Sequence, residues 1–182
     1  GNPIAYSIGV GPQAQWDEEM AAKGFNIWQY DHTVPGLPSQ HPNFHYQKLG
    51  IGAYLGDPEL ITLAEMLQRN GHANETGMIL KIDVEGAEWH CFESMDDEIL
   101  GRFDQIVVEY HGLEYLADAR WCERAERVFA RINRHHAAIH VHGNNYGEIR
   151  IVEGIPVPGV IEISYANRAK FALTPSNALF PS

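Results

Sequence analysis

At 182 residues the chain has room for one domain with a substantial core. Its formal charge of -11, from 24 acids against 13 lysines and arginines, is the reverse of what a nucleic-acid partner selects, because phosphate contacts need cations. The two cysteines, Cys91 and Cys122, lack disulfide-framework or metal-ligand spacing, and no apolar run approaches the ~20 residues of a membrane span, so a cytoplasmic protein without a membrane partner is expected.

Residues 4–11, Ile-Ala-Tyr-Ser-Ile-Gly-Val-Gly, read as a strand ending on Gly9 and Gly11. Residues 16–25 follow as a helix whose inner face is Trp16, Met20, Ala21 and Gly24, and residues 26–30 form a second strand that ends at Asp31. Strand, glycine turn, helix, strand and acid make up the βαβ unit of a nucleoside-binding site: glycines admit the ligand to the backbone, and the acid accepts ribose hydroxyls. The third glycine of a dinucleotide fingerprint is missing, with Gln13, Ala14 and Gln15 standing where it would fall. Two turn glycines and a surface acid are the plainer reading of the same residues.

Residues 32–44, rich in Pro and His, read as a loop, and residues 45–49 as a third strand running into Gly50-Ile-Gly52. Asp57-Pro58 is expected to start a helix, with Asp57 as its cap and Leu60, Leu63, Ala64 and Leu67 as its buried stripe up to Gly71. The stretch Met78-Ile-Leu-Lys-Ile-Asp-Val-Glu-Gly-Ala-Glu-Trp89 is an apolar, doubly buried strand that runs straight into Asp83, Glu85 and Glu88. Acids at the carboxyl end of such a strand sit where open α/β sheets bind ligands. For Glu85 and Glu88 a helix N-terminus, covering residues 87–95, offers a simpler account. Residues 104–111 are a fifth strand. Trp121, Ala125, Val128, Phe129 and Ile132 mark an amphipathic helix, and its arginines 120, 124, 127, 131 and 134 are expected on a solvated face with i,i+4 partners. Residues 138–142 form a sixth strand ending in Gly143-Asn-Asn-Tyr146, and residues 148–152 and 160–165 are two further β segments around the Pro- and Gly-rich 154–159.

Five strands therefore end in polar groups: Gly9 and Gly11; Asp31 and His32; Asp83 and Glu85; Glu109 and His111; His142 with Asn144 and Asn145. A single histidine is most often a hydrogen-bonded structural residue. Acids, histidines and asparagines arriving at one rim from separate strands make a site.

The strings Tyr6-Ser-Ile-Gly-Val-Gly11, Leu80-Lys-Ile-Asp-Val-Glu-Gly-Ala-Glu88, Ile106-Val-Val-Glu-Tyr-His111 and His142-Gly-Asn-Asn145, with Asp31, resemble the S-adenosylmethionine-dependent class I methyltransferases, and among them the FkbM-type and METTL24-like domains. The resemblance covers nearly the whole chain, which is read as one domain over residues 1–182. It implies a Rossmann-like α/β fold: a mostly parallel seven-stranded sheet with an antiparallel last strand and helices on both faces. It implies S-adenosylmethionine as cofactor, bound by Ser7, Gly9, Gly11, Asp31, Gly50 and Asp83, with the adenine near residues 50–52. Such domains usually carry helical sequence ahead of the first strand that helps to cover the cofactor; here that cover is expected to be missing.

Methyl transfer to a hydroxyl needs donor and acceptor held in line and a proton removed. Asp83, Glu109, His111 and His142 are the candidate catalytic residues, with His111 or His142 as base. Alternatively Asp83, Glu109 and His111 hold Mg²⁺ or Mn²⁺, which would acidify the hydroxyl. The expected activity is O-methylation of a small hydroxylated molecule such as a sugar or natural product. A nicotinamide-dependent oxidoreductase is the second enzyme reading, disfavoured by the missing glycine and the acids after the fourth strand; an inactive cofactor-binding module is the third.

Overall fold

The computed structural model describes residues 1–52, 56–144 and 147–176. Asn145 and Tyr146, named above beside His142, lie outside them. Seven strands form the main sheet: Ile4–Ile8 (β1), Asn26–Tyr30 (β2), Phe44–Gln47 (β3), Met78–Ile82 (β6), Phe103–His111 (β7), His136–Gly143 (β8) and Val160–Asn167 (β11), ordered β3-β2-β1-β6-β7-β11-β8. Two short ladders lie outside the sheet, Gly50–Ile51 (β4) with Leu60–Ile61 (β5), and Ile149–Val152 (β9) with Ile155–Pro158 (β10). β1, β2, β3, β6 and β7 run parallel, and β11 lies antiparallel between β7 and β8. The expected sheet and its antiparallel last strand are present.

Side-chain alternation sorts each strand between two cores. Tyr6, Ile8, Leu80, Ile82, Ile106, Val108 and Tyr110 point to one face and pack on Leu63–Arg69 (α2), Glu88–Ser94 (α3) and Ala119–His135 (α5), around fully buried Trp89 and Phe92. Ala5 and Ile27 point to the other face, against Met20 and Ala21 of Gln15–Ala22 (α1). No helix among the described residues is long and apolar enough to cross a membrane.

Three local expectations change. The second helix does not start at Asp57. Leu60 and Ile61 pair with Gly50 and Ile51 instead, and α2 begins after Thr62, whose hydroxyl accepts from the Glu65 amide while the Glu65 carboxylate accepts from the Thr62 amide. That reciprocal capping box outcompetes Asp57-Pro58 as a start, and Ala64 is exposed rather than part of the buried stripe. Residues 155–158, read as part of a loop, are the return strand of a hairpin whose turn places Glu153 and Gly154 at φ +50° and +84°. The arginines of α5 are not simply solvated. Arg124 donates to Glu93, and Arg131 donates to Asp97 and to the Phe92 and Glu93 carbonyls, so α5 grips the carboxyl end of α3 and the short helix Asp97–Leu100 (α4). Cations at a helix carboxyl end also complement its dipole.

Candidate functional site

β1, β2, β6 and β7 deliver their carboxyl ends to one rim. At the end of β1, Gly9 has φ +80°, and a Cβ there would fall within the Asp83 carbonyl, so only glycine lets β1 and β6 close together at this point. Its amide donates to the Tyr30 carbonyl at 2.9 Å, and its own carbonyl accepts from Lys81 Nζ at 2.9 Å. Among the described residues nothing lies within 4 Å of where a Cβ on Gly11 would stand, so the turn borders open space. That space is a cleft of about 780 Å³, walled by residues 8–13, Asp31, Gly50 and Ile51, and Asp83, Val84 and Glu85.

Asp31 lines the cleft yet is only 6 % exposed. Its Oδ2 accepts from the Val10 and Gly11 amides, both at 3.0 Å, and its Oδ1 from the Thr33 amide and hydroxyl and the Val34 amide. Burial alone would push its pKa up. The hydrogen bonds from Gly11, Thr33 and Val34 outweigh burial and hold the carboxyl below its ordinary value. Five donors fill a carboxylate's acceptor capacity, so a ribose hydroxyl would have to displace one of them. As it stands, Asp31 fixes the glycine turn. Ser7, also expected at the cofactor, is fully buried and does not line the cleft: alternation turns it to the α1 side, where Gln29 donates to buried Asp17.

The acids after β6 meet the end of β7. Glu88 is fully buried, and its Oε1 accepts from the Val84 and Gly86 amides at 3.0 and 3.2 Å and lies 3.0 Å from His111 Nδ1. The turn this carboxylate ties down holds Glu85 at φ +54°, a left-handed conformation that costs a non-glycine residue roughly 1–2 kcal/mol. Glu88 so engaged leaves His111 Nε2 facing Glu85 Oε2 at 3.4 Å and Glu109 Oε1 at 3.9 Å. The Glu88 hydrogen bond outweighs burial and raises the His111 pKa from 6.5 to about 9. Glu109 is raised by burial first and then by the nearby charge of Asp83, although Asn144 donates to it at 2.8 Å. Asp83, Glu109 and His111 each offer a ligand atom, all within 4.8 Å of one another.

Of the four residues expected at the reaction centre, the structure brings Asp83, Glu109 and His111 together. His142 is on β8, two strands from Glu109 with Glu162 between them in register. Among the described residues no hydrogen bond or ion pair joins it to the other three; its ring stacks at 6.4 Å on His140. Glu88 was expected only as a weaker candidate, because a helix start also explains it. Glu162 was not foreseen: it lies on an antiparallel strand whose pairing places it beside Glu109, and no motif marks it.

The FkbM methyltransferase domain model matches residues 28–150. A crystal structure of a Listeria monocytogenes protein described as an S-adenosylmethionine-dependent methyltransferase is similar at a TM-score of 0.53 and 9 % identity, over 92 % of each chain. An Escherichia coli prophage protein described as a DNA modification methyltransferase is similar at 0.53 and 10 % identity, over 95 % of this chain and 49 % of that one. At such identity these two likenesses speak for the fold. No curated protein matches the chain.

Proposed function

The chain belongs to the FkbM methyltransferase family, and from that premise we propose that it methylates a hydroxyl oxygen on a small molecule. S-adenosylmethionine, when bound, supplies a sulfonium methyl open to in-line attack. The chain's residues fit that cofactor: an open glycine turn, a cleft within the ~300–1,000 Å³ range of small-molecule sites, and carboxylates at two strand ends. Gly9, Gly11, Gly50 and Asp83 are the residues we assign to it, with Asp31 holding the turn.

The observation that carries O-methylation is the Glu88–His111 pair, whose imidazole Nε2 lies 3.4 Å from Glu85 on the cleft wall. A hydroxyl must lose its proton as the bond to carbon forms. Glu88 holds Nδ1, which fixes the tautomer and leaves Nε2 as the basic atom on the side of Glu85 and Glu109. The raised pKa makes His111 a strong base once deprotonated. Calorimetry should show S-adenosylhomocysteine binding and NAD not binding, and incubation with S-adenosylmethionine should leave the new methyl on oxygen. His111→Ala should lower turnover by about 10²- to 10⁴-fold with cofactor affinity kept. Methylation of nitrogen or carbon, or near-normal turnover of the variant, would overturn this reading, and binding without any turnover would favour an inactive module. NAD binding would revive the oxidoreductase.

The Asp83, Glu109 and His111 cluster supports a second reading, in which these groups hold Mg²⁺ or Mn²⁺ that acidifies the hydroxyl. Chelator would then abolish turnover and either cation restore it.

A further inference from the structure

Beside the cofactor cleft lies a second cavity of about 480 Å³ whose wall includes His111. The imidazole Nε2 is 3.4 Å from Glu85, which lines the cofactor cleft, so the two cavities meet across one pair of side chains. The local backbone shapes the second one. β7 ends at His111, and Gly112, at φ +85°, turns the chain into the 3-10 turn Leu113–Tyr115; a Cβ on Gly112 would stand 2.8 Å from the Trp121 ring. On the opposite side Gly159 leaves room for the Glu114 carboxylate, whose Oε2 lies 2.9 Å from where a Cβ would be. Tyr115 is 56 % exposed, and its ring meets Trp121 edge-on at 5.7 Å. The cavity therefore has an aromatic wall that is anchored on one edge and open to solvent elsewhere.

Its two cations are both paired and the field around it is negative. Glu114 and Glu148 supply hydrogen-bond acceptors; Arg150, the one guanidinium among the described lining residues, is paired with Glu148 at 2.7 Å, and the His111 imidazole is held between Glu88 and Glu85. Glu85, Glu109 and Glu162 extend the negative field just beyond. An anionic guest would be repelled, whereas hydroxyls or an amine would find acceptors and a ring's apolar face would find Tyr115.

We propose that this cavity is the acceptor subsite, and that it takes a polyhydroxylated ring of monosaccharide size, neutral or amine-bearing, in preference to a phosphorylated or carboxylated one. The inference rests on the methyltransferase reading above. Saturation-transfer NMR on the full chain with S-adenosylhomocysteine present, using methyl glucoside, methyl rhamnoside, glucosamine, glucose-6-phosphate and glucuronate as probes, tests it. The neutral and amino sugars should take up saturation and the two anionic ones should not. Tyr115→Ala should weaken uptake by about two- to tenfold, the range an aromatic contact supplies, and Glu114→Gln should narrow the discrimination against glucose-6-phosphate. Both substitutions lie outside the cofactor cleft, so calorimetric affinity for S-adenosylhomocysteine should hold in each and reports that the variant is folded. Equal or stronger uptake by the anionic sugars, no uptake by any of the sugars, or unchanged uptake in Tyr115→Ala would overturn the subsite while leaving the methyltransferase reading intact. Failure of wild-type protein to bind S-adenosylhomocysteine would overturn both.

Discussion

Asp31 has both carboxylate oxygens occupied by protein donors, which gives it a role that can be measured without any ligand. Asp31→Ala should destabilise the ligand-free protein by about 1–3 kcal/mol, the cost of leaving buried amides unpaired. A melting temperature unchanged without ligand, with cofactor affinity reduced, would return Asp31 to the ribose. Because its folded pKa lies below the usual value, its contribution is present above that value and fades as pH falls through the lowered one. His111 runs the other way. Its folded pKa of about 9 lies above 6.5, so its pairing with Glu88 stabilises the fold fully below 6.5 and the gain is lost as pH rises through about 9. Turnover that needs neutral imidazole should therefore climb with pH towards about 9, and Glu88→Gln should move that limb to lower pH. A rate profile with its rise at the same pH in both proteins would remove Glu88 from the base. The convergence of Asp83, Glu109 and His111 was legible because each closes an apolar strand. Glu88 was legible only as a weaker candidate, and its pairing with His111 not at all, since that partner is 23 residues away and a helix start also explained the acid. Ser7 differs in the other direction: the resemblance placed it at the cofactor, and strand alternation turns its side chain away from the cleft.

Elements were most legible where one signal acted alone. The alternating and doubly buried strands β1, β2, β6 and β7 fall close to their expected bounds, and α5 shows the anticipated buried stripe of Ala125, Val128 and Ile132. Where two start signals competed, the sequence misled. Asp57-Pro58 and Thr62-x-x-Glu65 are both respectable helix starts, and the reciprocal pair won because Leu60 and Ile61 are drawn into a ladder with β4. The relocation is testable: Thr62→Ala should cost about 0.5–2 kcal/mol by chemical denaturation, the usual loss of a cap. Asp57→Ala, which removes only an acceptor for the exposed Glu59 amide, should cost distinctly less. Equal losses would restore the earlier helix start. The β9–β10 hairpin escaped notice because Pro156 and Pro158 argue against a strand, and prolines at alternate positions are tolerated on an edge.

At the scale of the whole molecule, the alternation of strand and helix was enough to place the parallel strand ends, and hence the site, on one rim. It could not show which strand would lie between β7 and β8, because that is set by antiparallel pairing over long sequence separations. The net charge of -11 bears on the choice between the two readings of the site. A protein so acidic gains stability from any added salt through relief of self-repulsion, so a higher melting temperature in Mg²⁺ is no sign of a site by itself. A bound cation adds a saturable term, RT ln(1 + [L]/Kd), or about 2.7 kcal/mol at a hundredfold excess over Kd. If Asp83, Glu109 and His111 hold a cation, Mg²⁺ or Mn²⁺ should raise the melting temperature beyond NaCl of equal ionic strength, and Asp83→Asn should abolish that excess while leaving the response to NaCl unchanged. If the Glu88–His111 pair works as a base without metal, the divalent and monovalent salts should give superimposable curves in both proteins. A saturable excess that survives Asp83→Asn would place the cation elsewhere on the acidic surface and leave the proton-transfer role with His111.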